Sequence, residues 1–272
     1  LEYYKGKKVL LWTRKPGLGD MVMNAMTVQL LRQKYDVDAY FGCRENPCDR
    51  DFPTVMKDTP TFTYKPDIHT YPLNDNKVPR GYEGGKEHTG QFDLPFDFVM
   101  DFRYSIGTRQ NTIFQSLKEF GIRQMNHSIR GFQVDKDKLV KIKKPYDIIM
   151  CTSTGGWKPV RAYNRNKELK EELEKKGFKV FDLMEHDIKR DFGLKMFLGA
   201  VSQAKAYIGT ETGPTHLCSG VAKKSFIIES GIHPSAFWNI YDRTYPIEAD
   251  WGCGGRQCKV RKHEECTQEN GV

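Results

Sequence analysis

The sequence predicts an α/β protein built from two doubly wound units, each with a parallel sheet. Short apolar segments alternate with segments of helical periodicity in both halves of the chain. A charged segment at 135–147, which ends in a Pro and a Tyr-Asp pair, separates the two alternations. Polar loops rich in Gly and Thr follow several of the apolar segments, and 272 residues are enough for two such units.

The first half contains the pattern strand, helix, strand, which predicts parallel pairing with a right-handed crossover. KKVLLWT and VDAYFG are the strands, and between them Val22, Ala25, Met26 and Leu30 predict a helix with one apolar face. A further strand at 96–103 precedes a helix that we expect to end at Gly121, with Ile113, Leu117 and Phe120 on its apolar face. The first domain is therefore predicted to span 1–144, with a loop-rich insertion at 44–95.

The second half, 145–272, repeats the alternation. The predicted strands are 146–153, 178–183, 205–210 and 224–230, and the predicted helices are 167–177, 193–204 and 215–222. In the first of these helices, Glu171–Lys175 and Glu172–Lys176 have the spacing of helical ion pairs, and Gly177 is the expected cap.

The composition narrows the class of protein. A net charge of +8 and a pI near 9.0 suggest an anionic partner, which could be a nucleotide, a nucleic acid or a membrane surface. No apolar run approaches the ~20 residues of a membrane span, and the first residues lack the features of a signal peptide. We therefore expect a cytoplasmic protein, either dissolved there or peripheral at a membrane. Seven Cys imply no disulfide framework, and Cys151 and Cys218 are expected to be buried as small apolar groups.

Two loops in the second half have the composition of an anion site. IGTETGPTHLCSGVA predicts a strand, a Thr-rich loop and a helix with Pro214 in its first turn, where free backbone N–H groups favour a diphosphate. The groups expected to bind this anion are the hydroxyls of Thr210, Thr212 and Thr215, His216, and the basic side chains of Lys158, Arg161 and Arg165. In the alternative interpretation Thr212 or Thr215 only caps the helix, His216 packs beneath it, and the basic loop is merely solvated.

The segment RKPGLGDMVMNAMT raises a similar choice. Asp20 follows a Gly-Leu-Gly turn and precedes the first helical pattern. It could cap that helix, or it could present a catalytic carboxylate to a substrate.

Four segments in order resemble the motifs of the family-9 glycosyltransferases, the lipopolysaccharide heptosyltransferase-like enzymes. They are GLGDMVMNAMTVQLLRQKY, FDFVMDFRYSIGTRQNTIFQ, KAYIGTETGPTHLCSGVAKKSFIIESGIHP and the tail CGGRQCKVRKHEEC. The resemblance implies the GT-B architecture, with two Rossmann-like domains facing a cleft. It implies that the N-terminal domain binds an acceptor and the C-terminal domain a nucleotide-diphosphate sugar.

The resemblance also implies an inverting, metal-independent transfer with Asp20 as general base and no cofactor besides the donor substrate. The donor-binding residues that it implies are Thr210, Glu211, Thr212, Gly213, Thr215 and His216, with Lys158 or Arg161; those on the acceptor side are Gly17, Gly19 and Arg103. Glu211 stands where the family usually has Asp, and Glu229 and Gly231 stand in a segment that differs from the family pattern. Asp182 or Glu185 could hold the ribose hydroxyls.

Other functions stay open at this point. The acceptor could be a glycan, a lipid-linked saccharide or a nucleic acid. A nucleic-acid-binding protein using the basic segments 136–144 and 256–262, or a non-catalytic nucleotide-binding homologue, would also fit the charge and the motifs. Cys253, Cys258, Cys266 and His263 supply four possible zinc ligands, but their C-x4-C-x7-C spacing departs from the usual C-x2-C, and we expect no metal.

Overall fold

The computed structural model describes most of the strands and helices of the chain. The described residues are 2–12, 18–44, 52–64, 96–101, 113, 117–118, 120–122, 132–152, 163, 165–185, 193–228 and 241–247. Within these ranges, no helix has both the length and the apolar character needed to cross a membrane.

The first unit contains a sheet of four parallel strands. They are β1 (Lys8–Trp12), β2 (Asp38–Arg44), β3 (Thr61–Tyr64) and β4 (Phe98–Asp101), in the order β3-β2-β1-β4. Strand β1 lies at the centre of the pairing, with Leu10 opposite Tyr40 on one side and Val99 on the other. Three of these strands match the predictions, whereas β3 and the short helix α2 (Phe52–Val55) lie inside the segment predicted to be loop-rich.

Helix α1 (Leu18–Tyr35) differs from the predicted helix with a single apolar face, because it is buried on all sides from Met21 to Leu31. Its polar side chains are accommodated by hydrogen bonds. The Thr27 hydroxyl donates to the Met23 carbonyl at 2.9 Å. The amide of Gln29, which is 2% exposed, bonds the carbonyls of Lys57 and Gln133 and the N–H of Gln133. These two residues lie next to an antiparallel bridge between Met56 and Val134. Burial of this face therefore depends on backbone partners that are distant in sequence.

The second unit contains five parallel strands. They are β5 (Ile148–Cys151), β6 (Val180–Asp182), β7 (Ala206–Thr210), β8 (Ser225–Ile228) and β9 (Thr244–Ile247), in the order β6-β5-β7-β8-β9. Helices α3 (Asn166–Lys175), α4 (Gly193–Gln203) and α5 (Gly213–Cys218) connect them. One face of the sheet forms an aliphatic core of Ile148, Met150, Val180, Ile208 and Ile228, against which α3 packs through Leu169 and Leu173.

The described residues fall into two compact units. The first contains the residues up to Asp101, those between 113 and 122, and Gln133–Asp135, while the second contains Phe132 and everything from Lys136 onward. Each unit has an all-parallel sheet, which confirms the predicted α/β class with Rossmann-like units.

Several predicted helix ends are confirmed by left-handed glycines. Gly121 has φ +76° and Gly177 has φ +83°, a conformation that other residues adopt only at a cost. On α3 the Lys175 ammonium contacts Glu172, three residues away at 2.7 Å, in a largely exposed ion pair. The predicted partners, Glu171 for Lys175 and Lys176 for Glu172, interact through their charges at longer range.

In each sheet the strand order reverses at one place. The reversal lies between β1 and β4 in the first sheet and between β5 and β7 in the second. In doubly wound sheets, the loops that leave the carboxyl ends of the strands at such a switch point form the ligand crevice. The loop after β1 leads into the helix that contains Asp20, and the Thr-rich loop follows β7.

Candidate functional site

Two buried hydroxyls lie at the switch point of the second sheet. Cys151 of β5 pairs with Gly209 of β7, so Thr152 and Thr210 each stand one residue beyond this pair and project from the same face. Thr152 is 2% exposed and Thr210 is 1% exposed. Neither hydroxyl oxygen has a hydrogen-bond partner among the described residues. Buried hydroxyls are normally hydrogen-bonded, so we expect a bound ligand to supply the partner of these two hydroxyls.

The hydroxyl of Thr215 organises the Thr-rich loop from inside. It is fully buried and donates to the Thr210 carbonyl at 2.6 Å. It also lies 3.0 Å from the Tyr207 hydroxyl and 3.1 Å from the Thr212 hydroxyl. Since a hydroxyl has one proton, and that of Thr215 goes to the carbonyl, Tyr207 and Thr212 must both donate to the Thr215 oxygen.

This direction of bonding changes the expected roles of two donors. Thr215 has no proton left for a bound anion, and the proton of Thr212 points into the protein. Thr212 precedes α5 in an extended conformation, as a cap would, but no side-chain bond caps the helix. Pro214 lies in the first turn of α5 as predicted. With only six residues, α5 has a small dipole, so the contribution expected from its N-terminus is modest.

Two cysteine thiols lie beside the Tyr207 hydroxyl. Cys151 and Cys218 are buried and outside any disulfide, which confirms the expectation from their apolar contexts. Burial raises the pKa of the Tyr207 hydroxyl and of the Cys218 thiol well above their ordinary values. Both groups therefore stay protonated and neutral, as a packing role requires.

His216 lies beneath the loop in contact with two polar side chains. The imidazole is 1% exposed, its Nδ1 is 3.3 Å from the hydroxyl of Tyr241, and the two rings meet edge to face. Its Nε2 is 3.7 Å from Oε1 of Glu211, which is also buried. Burial first, and the charge of Glu211 second, raise the pKa of Tyr241 well above its ordinary value. The His216 side chain of α5 thus points into the protein, which agrees with the buried His216 of the alternative interpretation.

On the acceptor side, the structure describes part of the predicted set. Gly19 and Asp20 lie in the first turn of α1, so Asp20 is the third residue of the helix and not its cap. The Asp20 side chain, Gly17 and Arg103 lie outside the described residues, as do Lys158, Arg161, Glu229, Gly231 and the four possible ligands of the tail.

Three other predicted residues already have polar partners. Arg165 forms an exposed ion pair with Glu168 at 2.6 Å, three residues away. Glu185 accepts from the Lys170 ammonium with both oxygens, at 2.7 and 2.8 Å. Asp182 is buried, and one oxygen lies 3.5 Å from the Asn166 amide. Of the two acidic residues expected near a ribose, Glu185 is therefore occupied by an ion pair.

Much of the positive charge of the second unit lies at the opposite edge of its sheet, where the strands begin. Exposed basic residues precede all five strands: Lys143, Lys144, Lys179, Lys205, Lys223, Lys224 and Arg243. Helices α3 and α4 end at this edge, where their carbonyl groups favour cations. Lys223 donates to the carbonyl of Gln203, the last residue of α4, and Lys205 pairs with Asp147 at 2.8 Å. Part of the excess positive charge is therefore placed where it interacts with the ends of helices or with a neighbouring carboxylate.

The described part of the chain contains no group of three His, Cys, Asp or Glu residues that could hold a metal ion. Three residues of the site were not predicted from the sequence: Thr152 and the two tyrosines Tyr207 and Tyr241. The tyrosine hydroxyls meet partners 8 and 25 residues away, and no local pattern marks such contacts.

Comparison with known proteins gives a consistent result at the level of fold. No protein-family model matches the chain, and no curated protein sequence matches it. Among solved structures, the iron-containing dodecameric glycosyltransferase TibC of enterotoxigenic E. coli H10407 is similar, with a TM-score of 0.60 and 13% identity. The match covers 92% of this chain but only 64% of TibC, which has also been solved with ADP-D-beta-D-heptose.

Two further structures cover nearly the whole length of both chains. ADP-heptose lipopolysaccharide heptosyltransferase II of E. coli has a TM-score of 0.56 and 11% identity, with 92% of each chain covered. A family-9 glycosyltransferase of Veillonella parvula has a TM-score of 0.51 and 11% identity, with 90% of this chain and 87% of that chain covered. These matches agree with the motif resemblance. The chain therefore has the GT-B fold class that the sequence predicted, shared with heptosyltransferases of known structure.

Proposed function

We propose that the protein is a glycosyltransferase that moves a sugar from a nucleotide-diphosphate donor to an acceptor hydroxyl, with inversion at the anomeric carbon. The observation that carries the proposal is the position of the motifs on the sheets. The GLGD segment leads from β1 into α1 beside the switch point of the first sheet, and the TETGPTH segment leaves β7 at the switch point of the second. A fold shared with heptosyltransferases supports the same activity.

The donor would bind at the end of the second sheet. The hydroxyls of Thr152 and Thr210 are available as donors to an anion, and Gly213 lets a ligand approach the backbone. Lys158 or Arg161 would add positive charge to the leaving diphosphate. Thr212, Thr215 and His216 would then support the loop, while the Glu211 carboxylate would accept a hydrogen bond from a hydroxyl of the sugar.

Asp20 would act as the base. In the transfer, the acceptor oxygen bonds to the anomeric carbon, the bond from that carbon to the diphosphate oxygen breaks, and the acceptor proton passes to the carboxylate. The nucleotide diphosphate leaves with the bonding electrons. Asp20 lies in the first turn of an 18-residue helix, where the positive end of the helix dipole helps to keep a carboxylate ionised. Arg103, Gly17 and Gly19 would lie on the acceptor side.

The donor nucleotide is best sought first among ADP-sugars, because TibC has been solved with ADP-D-beta-D-heptose. We propose a glycan or a lipid-linked saccharide as acceptor. The transfer would need no metal, since hydroxyls and basic side chains can stabilise the diphosphate. TibC contains iron, so dependence on metal has to be measured: transfer by protein treated with a chelator should equal that of untreated protein, and a loss restored by added metal would contradict metal independence.

The decisive experiment compares two Asp→Asn variants, one at each end of α1. Asp20→Asn should abolish transfer and keep nucleotide binding, because only the base is lost. Asp36→Asn, at the other end of α1, provides the matched control and should leave both unchanged; Asp36 has φ +55°, which Asn also tolerates. Nucleotide binding is measured by calorimetry with ADP- and UDP-sugars, and transfer by release of the nucleotide diphosphate. Full turnover by Asp20→Asn would refute the assignment of the base.

Two other functions are separated by simple measurements. If the protein acts on nucleic acid, binding to RNA or DNA must weaken steeply with salt. The cations at the beginning of the second sheet also serve helix ends and Asp147, which makes this function the weaker one. A non-catalytic homologue would bind donor but transfer to no acceptor.

A further inference from the structure

The buried contact between His216 and Tyr241 has a consequence for the protonation state of the loop. We propose that Tyr241 is a positioning residue, whose hydroxyl donates to Nδ1 of His216 and thereby fixes the imidazole as the neutral tautomer with its proton on Nε2, directed at Glu211. This proposal deepens the proposed function and rests on it for its link to donor binding, but its first test does not depend on any ligand.

The donor in this hydrogen bond follows from the chemistry of the tyrosine. Tyr241 is 5% exposed, and burial together with the Glu211 charge raises its pKa, so its hydroxyl keeps its proton. A neutral imidazole has one N–H and one bare nitrogen. With the Tyr241 hydroxyl 3.3 Å from Nδ1, donation to the bare Nδ1 leaves the ring proton on Nε2.

The distance on the other side of the ring is longer than that of a close ion pair. A charge-assisted bond between an imidazolium and a carboxylate has a length of about 2.7–2.9 Å. The separation between Nε2 and Oε1 of Glu211 is 3.7 Å. Nε2 therefore faces the carboxylate at a distance longer than a hydrogen bond, and the two groups form no close ion pair.

The contact also explains how the longer Glu211 fits in this loop. Glu211 is the first residue after β7. His216 lies on α5, and its backbone N–H donates to the Thr212 carbonyl at 3.1 Å. The ring lies edge to face against Tyr241, with centroids 6.1 Å apart. Tyr241 lies three residues before Thr244, the first residue of β9, so the segment leading into β9, the Thr-rich loop and α5 meet at the His216 side chain. Loss of the ring orientation would therefore change the polar surroundings of Glu211, the residue proposed above to meet the donor sugar.

The direct test is nitrogen NMR on the full chain with 15N-labelled histidine. At a pH of about 8, above the ordinary range for histidine, wild-type His216 should show a bare Nδ1 and a protonated Nε2. The signal is assigned by its absence in His216→Gln and by contacts of the ring protons with the Tyr241 ring. A protonated Nδ1, whether in the other tautomer or in an imidazolium, would overturn the proposal in the wild-type protein alone.

The variant Tyr241→Phe keeps the ring and removes the hydroxyl. It should yield a mixture of tautomers for His216, whereas Tyr245→Phe, which removes an exposed hydroxyl four residues away, should not. If wild type binds ADP-D-beta-D-heptose or ADP, Tyr241→Phe should weaken that binding about five- to tenfold, the size expected for one hydrogen bond. An unchanged single tautomer in Tyr241→Phe would refute Tyr241 as the positioning residue. If wild-type His216 shows the expected tautomer but the protein binds no nucleotide, the result would instead count against the proposed function.

Discussion

Replacement of Thr215 by valine tests the hydroxyl network that holds the Thr-rich loop. Valine has nearly the same shape, so the change removes one oxygen without opening a cavity. Three hydrogen bonds are lost: the one to the Thr210 carbonyl and those from the hydroxyls of Tyr207 and Thr212. The Thr210 carbonyl and the Tyr207 hydroxyl then stay buried without this partner.

The size of the effect follows from the burial of these groups. A hydrogen bond contributes a net ~1 kcal/mol, and each buried polar group that loses its partner costs about 1–3 kcal/mol. Tyr207 and Thr215 are both fully buried, so we expect the free energy of unfolding to fall by about 4 kcal/mol. With a urea m value of about 2 kcal/mol per M, the midpoint of unfolding should move down by about 2 M.

Two companion variants make the measurement specific. Thr215→Ser keeps the hydroxyl and loses one methyl group, which should cost only about 1 kcal/mol. The double variant Thr215→Val with Tyr207→Phe should cost less than the sum of the two single variants, because it also removes the stranded donor. If Thr215→Val unfolds at the same urea concentration as Thr215→Ser, the hydroxyl does not hold the loop and the bonding directions derived above are incorrect.

Other regions give equally direct predictions. Gln29→Leu should lower the free energy of unfolding by about 3 kcal/mol, since it leaves backbone groups of Lys57 and Gln133 without their partner. Gln33→Leu, on the exposed side of α1, should change it by less than about 1 kcal/mol. Both variants are measured by urea unfolding, and equal effects would contradict the role of Gln29. Gly220→Ala should prevent folding of the second unit, because its Cβ would lie 1.4 Å from the Phe132 carbonyl oxygen, while Gly177→Ala, with open space and φ +83°, should cost only about 1 kcal/mol in thermal unfolding. The pKa of Asp147 is lowered by its bonds to the Lys205 ammonium and the Lys179 N–H. The charged Asp147 therefore stabilises the folded protein at a pH above about 4, the pKa of the carboxyl group in the unfolded chain. This stabilisation is lost as the pH falls through the lower pKa that Asp147 has in the folded protein. Asp147→Asn should therefore unfold more easily than wild type at pH 7, and this difference should shrink below a pH of about 4; a constant difference across the pH range would contradict the interaction.

The sequence alone determined the features that depend on neighbouring residues. The strands β1, β2, β4 and β5 to β8 follow from apolar runs bounded by Gly, Pro or charge, and Gly121 and Gly177 end helices because they adopt positive φ at little cost. Parallel order in turn places Thr210, at the end of β7, and Asp20, in the first turn of α1, where strands lead into helices. Motif order was enough to predict the fold class that the comparisons support.

Tertiary structure decided the features that depend on partners far along the chain. The edge strands β3 and β9 were missed because they are short and β9 contains Pro246, so their pairing is fixed by the adjacent strand and not by their own periodicity. The buried amide of Gln29 in α1 is paired with backbone groups of Lys57 and Gln133, which lie 28 and 104 residues away. The roles within the candidate site changed for the same reason. A hydroxyl or an imidazole can face a ligand or the protein. In the tertiary structure Thr215 bonds the Thr210 carbonyl and Tyr207, and His216 meets Tyr241.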